Sequence, residues 1–188
     1  MTPFTVHLMR HGAVEGEGRL IGSSDVPSTA TGDARCVEQG AALAFAQVVC
    51  SDLTRARRPA EVLAAEREVP LRIDPDWREL AFGAWEGHAP ADLPPDALAR
   101  FWANPDTSPP PEGERWSALT IRVERALARI EHDTLVIAHA GAMRGALASL
   151  FGFSATQCWA LDLPYGAVLS LRIWPGELRG AQIVGLTA

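Results

Sequence analysis

Short apolar runs with strand-forming residues recur along the chain, and most are separated by segments long enough for a helix. This alternation predicts an α/β fold with a largely parallel sheet. The predicted strands span residues 4–9, 46–50, 71–73, 134–138, 167–173 and 182–185. The predicted helices span residues 31–45, 56–68, 95–103, 116–131 and 142–150. Helix 116–131 has the clearest apolar periodicity, and either Thr29 or Thr31 is suited to cap the first helix.

The length and apolar content favour a single domain over residues 1–188. With 188 residues, 47% of them apolar, the chain can bury one substantial core. The stretch 89–111 is rich in proline, which disfavours long regular structure. A linker is one explanation, but the stretch lies inside the strand–helix series. We therefore expect a lid or insertion over the site at about 87–115, with Phe101 and Trp102 supplying apolar surface.

Charge and cysteine content argue against several classes of partner and site. The net charge of −6 argues against nucleic acid or an anionic membrane, since both require a basic surface. A small phosphorylated substrate is compatible with this charge, because a pocket can be locally positive. All 17 basic residues are arginines, so a phosphate clamp here would use the bidentate guanidinium fork. Three widely spaced cysteines suggest neither a disulfide framework nor a zinc site.

Hydropathy and strand pattern bear on cellular location and oligomeric state. No stretch approaches the roughly 18 apolar residues of a membrane span, and residues 1–10 lack the order of a signal peptide. We therefore expect a cytoplasmic protein. The run 167–173, expected at a sheet edge, permits a homodimer without requiring one, so monomer and homodimer both stay open.

Four of the predicted strands lead directly towards polar, ionisable residues. Residues 4–9 lead into Arg10-His11-Gly12, and residues 46–50 lead into the segment that ends at Arg55. Residues 71–73 lead towards Glu79, and residues 134–138 lead into His139. In open parallel sheets the ligand crevice lies outside the carboxyl ends of the strands, so we expect these side chains around one crevice.

Such a set suits phosphoryl transfer through a covalent intermediate. A neutral imidazole can attack phosphorus, arginines and a second imidazole can hold the developing charge, and a carboxylic acid can protonate the leaving oxygen. We expect Gly12 and Gly141 to be glycine because a side chain would hinder approach of the backbone to phosphate. The helix that starts after Ala140 could point its amides at the anion.

Five short stretches resemble one known family in both residues and order. They are residues 8–12, 22–27, 51–56, 78–87 and 139–144, and together they span residues 8 to 144. The chain is thereby identified as similar to the histidine phosphatase superfamily, also called phosphoglycerate mutase-like. This resemblance implies a three-layer α/β/α fold with no metal or other cofactor.

The resemblance also assigns roles to individual residues. It implies that His11 becomes phosphorylated and that Glu79 is the acid and base. The implied phosphate ligands are Arg10, Arg55 and His139, and the expected substrate-binding residues are Gly12, Gly22, Ser23 and Ala140. The sequence departs from the family pattern after Gly12, where Ala13, Val14 and Glu15 replace the usual polar residues.

Within the family, the chain length and the pattern from Arg19 to Gly32 look most similar to the bacterial α-ribazole phosphatase branch. That branch removes a phosphate during assembly of the nucleotide loop of cobalamin. Two other functions stay open. A phosphoglycerate mutase uses the same phosphohistidine but usually has a longer lid and tail, and a regulatory protein could bind phosphate without turnover.

Several conspicuous residues have a simpler structural interpretation. His7 and His11 would lie about 13 Å apart on one strand face, too far for shared metal ligation. Glu86 and Glu114 compete with Glu79 as the acid but are expected instead to be partners of arginines. We expect solvent-exposed side chains at Arg57, Arg58, His88 and His132, and tryptophans that could line a pocket at Trp85 and Trp102.

Overall fold

A computed structural model describes residues 2–176 and 180–188 of the chain. Within these residues one sheet is formed by β1 (Phe4–Arg10), β2 (Gln47–Cys50), β3 (Leu71–Ile73), β4 (Thr134–Ala138), β5 (Val168–Trp174) and β6 (Gly180–Thr187). The strands lie side by side in the order β3-β2-β4-β1-β5-β6. The pairs β1–β4, β2–β4 and β2–β3 are parallel, whereas β5 is antiparallel to both of its neighbours. The predicted, largely parallel sheet is therefore confirmed, with β5 as the reversed strand.

The six α-helices of the described segments are α1 (Ala30–Ala41), α2 (Thr54–Arg67), α3 (Pro95–Ala103), α4 (Trp116–Ala128), α5 (Ala140–Phe151) and α6 (Ala155–Trp159). They cover both faces of the sheet. Because side chains alternate along a strand, Leu8 packs with the cluster that includes α4 and α5, and its neighbour Met9 packs with the cluster that includes α1 and α2. The expected three-layer α/β/α arrangement is confirmed.

The starts of the helices agree with the prediction for α1 and differ from it for α5 and α6. The hydroxyl of Thr29 accepts a hydrogen bond of 3.0 Å from the N–H of Gly32, so Thr29 is the cap of α1. α5 begins two residues earlier than expected, which places His139 directly before its first turn. The short helix α6 was not predicted, although Ser154 and Gln157 form a capping box at its start.

The run expected at a sheet edge is instead internal. β5 pairs with β1 on one side and with β6 on the other, so the prediction of an edge strand at 167–173 is wrong. Periodicity reveals that a strand exists but not which neighbours it acquires. The edges are formed by β3 and β6.

The proline-rich segment packs onto the core through Phe101. This ring is 1% exposed and lies edge-on to Trp85 and Phe82, with centroids 5.6 Å and 6.3 Å away. The neighbouring Trp102 is 40% exposed. The segment contains α3, as predicted, and a 3₁₀ turn at Pro90–Asp92. Throughout the described residues, no helix is both long and apolar enough to cross a membrane.

Candidate active site

The carboxyl ends of the parallel strands bring the predicted site residues together. Arg10 is the last residue of β1, His11 follows it, and His139 follows β4. The His11 and His139 ring centroids lie 5.0 Å apart. Arg55 lies in the first turn of α2, the next element after β2, and Glu79 follows the 3₁₀ turn Pro75–Trp77 that comes after β3.

His11 is held as a neutral imidazole with one defined tautomer. Its side chain is buried, and Nδ1 lies 2.8 Å from the carbonyl oxygen of Gly12. Because a carbonyl only accepts, Nδ1 carries the proton and the lone pair is on Nε2. Burial, together with the positive charge of Arg55, lowers the pKa of His11 well below its usual value. A neutral imidazole with a free Nε2 lone pair is a competent nucleophile.

His139 is completely buried, and neither ring nitrogen has a hydrogen-bond partner within the described residues. Burial lowers its pKa well below the usual value, and the nearby His11 and Arg55 lower it further. Buried polar nitrogens without partners are costly and uncommon in folded proteins. The imidazole of His139 is therefore suited to an oxygen-rich ligand bound beside His11.

Arg55 holds the loop that contains Gly22 and Ser24. Its guanidinium is fully buried and donates hydrogen bonds of 2.7 Å to the carbonyls of both residues. Its Nε has no partner within the described residues. Part of this guanidinium is thus used to fix the loop, and Nε is available for another acceptor.

Glu86 fixes the same loop from the other side. Its carboxylate accepts hydrogen bonds from the backbone N–H groups of Gly22 and Ser23 and from the hydroxyl of Ser24. Burial alone would raise the pKa of Glu86, but these bonds and one from the N–H of Phe82 hold it below the usual value. Within the described residues Glu86 makes no direct hydrogen bond to an arginine. It acts on Arg55 through the loop that both side chains hold and through its negative charge, which opposes the lowering of the Arg55 pKa.

Glu114 does pair with an arginine, but that arginine lies behind the cleft. It forms two hydrogen bonds with Arg122, of 2.7 and 2.8 Å. Arg122 also donates to the carbonyls of Arg78 and Glu79, at 2.7 and 2.9 Å. The pair therefore fixes the backbone that carries Glu79.

The carboxylate of Glu79 lies at the edge of the cleft. One oxygen accepts from the N–H of Leu80 at 2.8 Å, and the other accepts from the N–H of Gly141 at 3.1 Å. The expectation that the first amides of α5 face a bound anion therefore needs correction, since the Gly141 amide is occupied by Glu79.

Tyr165 is a site residue that sequence reasoning missed. Arg10 stacks on its ring, with Cζ 3.9 Å from the centroid, and donates a 2.7 Å hydrogen bond to the carbonyl of Leu163. The same ring lies 5.4 Å from the ring of His11. Tyr165 comes before the reversed strand β5. It therefore does not lie at the carboxyl end of a parallel strand, which is where the sequence analysis expected site residues. The only available signal was that it is the single tyrosine of the chain.

These side chains enclose a polar cleft and an adjoining aromatic recess. The cleft has a volume of 140 Å³ and is lined by Arg10, His11, Val14, Arg19, Leu20, Ile21, Glu79, Phe82 and Tyr165. The recess has a volume of 70 Å³ and is lined by Glu79, Leu80, Phe82, Phe101, Trp102, Trp116, Gly141, Arg144 and Trp159. Of the two tryptophans considered from the sequence, Trp102 lines the recess and Trp85 does not.

Three glycines of the site make close contacts that leave no room for a side chain. A Cβ on Gly12 would lie 2.2 Å from the carbonyl oxygen of Gly32, so Gly12 permits α1 to pack against the cleft loop. A Cβ on Gly141 would lie 1.9 Å from Oε1 of Glu79, and one on Gly22 would lie 2.0 Å from the carbonyl of Leu80. The expectation that Gly12 and Gly141 let the backbone approach phosphate stays a prediction, and the structure gives each of these glycines a packing reason as well. Ser23 is exposed, and Ala140 is buried at the start of α5.

The remaining candidates have structural or surface positions. Nδ1 of His7 lies 2.8 Å from the hydroxyl of Ser170 on the neighbouring strand. His88, His132 and Arg58 are exposed, and Arg57 forms an exposed pair with Glu61. In residues 2–176 and 180–188, no group of three or more His, Cys, Asp or Glu side chains is arranged to hold a metal ion.

The chain is similar to known phosphatases over most of its length. The model of the histidine phosphatase superfamily (branch 1) matches residues 6–184. The adenosylcobalamin/alpha-ribazole phosphatase of Escherichia coli strain K12 is 31% identical over 176 residues, 85% of each chain. The protein of the same name from Salmonella typhimurium is 29% identical over 182 residues, 90% of each chain. The alpha-ribazole phosphatase structure from Shigella flexneri matches with a TM-score of 0.82 at 26% identity, covering 98% of this chain and 96% of that one.

Proposed function

Since the chain belongs to the histidine phosphatase superfamily, has its phosphoglycerate mutase-like fold and is a phosphatase, we propose that it hydrolyses a small phosphorylated metabolite through a phosphohistidine on His11. One observation carries this proposal. A neutral His11 with its lone pair on Nε2 lines a cleft that it shares with Arg10 and Glu79, and its ring lies 5.0 Å from that of His139.

In the first step, Nε2 of His11 attacks phosphorus and the bond from phosphorus to the leaving oxygen breaks. Glu79, in its protonated form, gives its proton to that oxygen, so an alcohol departs. Arg10, Nε of Arg55 and the ring of His139, the latter two without partners among the described residues, stabilise the charge on the equatorial oxygens. The products of this step are phosphohistidine and the carboxylate of Glu79.

In the second step, the carboxylate of Glu79 takes a proton from water, whose oxygen attacks the phosphohistidine. The phosphorus–nitrogen bond breaks and its electron pair returns to Nε2. Inorganic phosphate leaves, and both His11 and Glu79 regain their starting states. This cycle uses no metal ion, because arginine, histidine and carboxyl side chains supply every charge and proton that it needs.

The segment 87–115 is proposed to be the lid of this site. Phe101 and Trp102 line the recess beside Glu79, so a substrate body would contact them as it binds. We propose α-ribazole 5′-phosphate as the substrate to test first, because the E. coli and Salmonella relatives carry the name of that phosphatase.

The proposed chemistry is tested with p-nitrophenyl phosphate in the presence of EDTA. We expect hydrolysis that His11→Ala abolishes and that His7→Ala, a matched change at a histidine outside the cleft, retains. Mass spectrometry under non-acidic conditions should detect phosphohistidine on residue 11. Activity that survives His11→Ala, or that EDTA removes, would overturn the mechanism.

A metabolite panel then separates the substrate assignments. We expect α-ribazole 5′-phosphate to be hydrolysed with a higher kcat/KM than 3-phosphoglycerate. Equal values would remove the cobalamin assignment and leave the phosphatase activity intact. Interconversion of 2- and 3-phosphoglycerate faster than their hydrolysis would make the chain a mutase, and tight binding without phosphohistidine would make it a regulatory protein.

A further inference from the structure

The aromatic recess begins where the leaving group of a substrate must lie. Glu79 and Phe82 line both the polar cleft and the recess. For Glu79 to protonate the leaving oxygen, that oxygen must be within hydrogen-bond reach of its carboxyl group. Atoms attached to the leaving oxygen therefore enter the recess or the solvent beside it.

Three tryptophans line the recess, and each comes from a different helix. Trp102 of α3 lies edge-on to Trp159 of α6, with centroids 5.2 Å apart. The ring of Trp116 of α4 is tilted relative to that of Trp159, with centroids 5.4 Å apart. Phe101 lies 4.8 Å from Trp102. Such walls favour a planar aromatic ring, because rings gain both buried apolar area and edge-to-face contacts.

Two residues that line the recess, Trp159 and Arg144, each carry a hydrogen-bond donor with no partner among the described residues. Nε1 of Trp159 is buried and has no acceptor within the described residues. Arg144 lies over the ring of Trp159 at 5.2 Å and uses Nε and Nη2 on the carbonyls of Cys158 and Leu161. Its Nη1 has no hydrogen bond to any residue that the structure describes. A ligand that carries an acceptor atom would satisfy these donors, and a purely hydrocarbon ligand would not.

We propose that this recess binds a planar aromatic group with a hydrogen-bond acceptor, carried by the leaving alcohol of the phosphomonoester substrate. The proposal rests on the proposed phosphatase function and names the class of its substrate. The volume of 70 Å³ admits the edge of a single ring, and the 40% exposed Trp102 is the wall that solvent reaches. The polar cleft binds the phosphate, and the recess selects what is attached to it.

Three alkyl phosphates test the recess. Their leaving alcohols are similar in reactivity, so differences in kcat/KM report on contacts in the recess. They are propyl phosphate, 2-phenylethyl phosphate and 2-(pyridin-3-yl)ethyl phosphate. We expect kcat/KM for the phenyl compound to exceed that for the propyl compound by about tenfold or more. We expect the pyridyl compound to exceed the phenyl compound by about fivefold, from one recovered hydrogen bond.

Two substitutions separate the ring from the donor. Trp159→Phe removes the indole N–H and keeps an aromatic wall. It should lower the pyridyl-over-phenyl preference, with Arg144 left as the remaining donor, and keep most of the phenyl-over-propyl preference. Trp102→Ala should reduce the phenyl-over-propyl preference at least about threefold. Ile121→Ala, an exposed apolar residue on α4, is the matched control and should leave both ratios unchanged.

The outcomes distinguish this proposal from the function on which it rests. Equal kcat/KM values for the three substrates, with hydrolysis still dependent on His11, would overturn the recess proposal alone. Hydrolysis that does not depend on His11 would overturn the proposed function. A carboxylate-bearing substrate of the same length that outperforms the pyridyl compound would mean that Arg144 makes the recess an anion site, which would also overturn the proposal.

Discussion

The carboxylate of Glu79 lies against the first turn of α5, where Oε2 accepts a 3.1 Å hydrogen bond from the N–H of Gly141. A Cβ at residue 141 would lie 1.9 Å from Oε1. The absence of a side chain at Gly141 therefore leaves room for the carboxylate of Glu79, the proposed acid and base, and the N–H of Gly141 holds that carboxylate in place.

Replacing Gly141 should consequently displace Glu79 without unfolding the protein. For Gly141→Ala we expect kcat/KM to fall by about 100-fold, because a misplacement near 1 Å has that effect on catalysis. The loss should be greater for propyl phosphate than for p-nitrophenyl phosphate, since nitrophenolate leaves with little protonation. Steady-state kinetics would measure both losses. Ser149→Ala near the end of the same helix is the control, and an equal loss with both substrates would contradict a positioning effect on the acid.

Stacking of Arg10 on Tyr165 predicts a role for the ring rather than for its hydroxyl. Tyr165→Phe keeps the ring at 3.9 Å from the guanidinium and should change kcat/KM by less than about threefold. Tyr165→Leu removes the ring face, and we expect a loss of about 3- to 30-fold, mostly as a higher KM and weaker inhibition by inorganic phosphate. Comparable losses in the two variants would show instead that the hydroxyl contacts the substrate.

The two buried imidazoles predict that stability decreases in mild acid. Burial lowers the pKa of His11 and of His139 well below 6.5, so the unfolded chain binds more protons than the folded chain between each lowered pKa and 6.5. The free energy of unfolding should therefore fall as pH falls through that window, by up to about 1.4 kcal/mol per pH unit for each group. Above 6.5 these groups should contribute no pH dependence.

Urea unfolding as a function of pH would test this. His139→Gln should reduce the slope below pH 6.5, and His132→Gln, a change at an exposed histidine, should leave it as in the wild type. If the free energy of unfolding has the same dependence on pH in the wild type and both variants, His139 is not the cause of that dependence.

The carboxylate of Glu86 predicts coupling between the loop at residues 22–24 and the substrate. Glu86→Gln replaces one acceptor oxygen with an NH₂ group that faces backbone N–H donors. We expect the free energy of unfolding to fall by about 1–3 kcal/mol. KM should rise, because Arg55 binds carbonyls of the same loop. Chemical denaturation and steady-state kinetics measure the two effects, with the exposed Glu38→Gln as control. An unchanged KM despite lower stability would show that the loop at residues 22–24 does not contribute to substrate binding.

The sequence alone determined the layout of the fold and the positions of the ionisable side chains that gather at the carboxyl ends of the parallel strands. Strands at 71–73 and 134–138 match the predictions, and the cap of α1 is Thr29, one of the two predicted candidates. Arg10, His11 and His139 were found because carboxyl ends of parallel strands meet at one edge whatever the other details of packing. Apolar periodicity and helix capping depend on residues within one element, so the sequence of that element is sufficient to predict it.

Only the tertiary structure decided which residues complete the site. Tyr165 reaches Arg10 across more than 150 positions because β5 runs in reverse beside β1, and no local pattern encodes that pairing. The recess is likewise assembled from four helices, and Gly12 is required by a contact with α1. Residue periodicity specifies which face of an element is buried, whereas close packing between distant elements decides what that face touches.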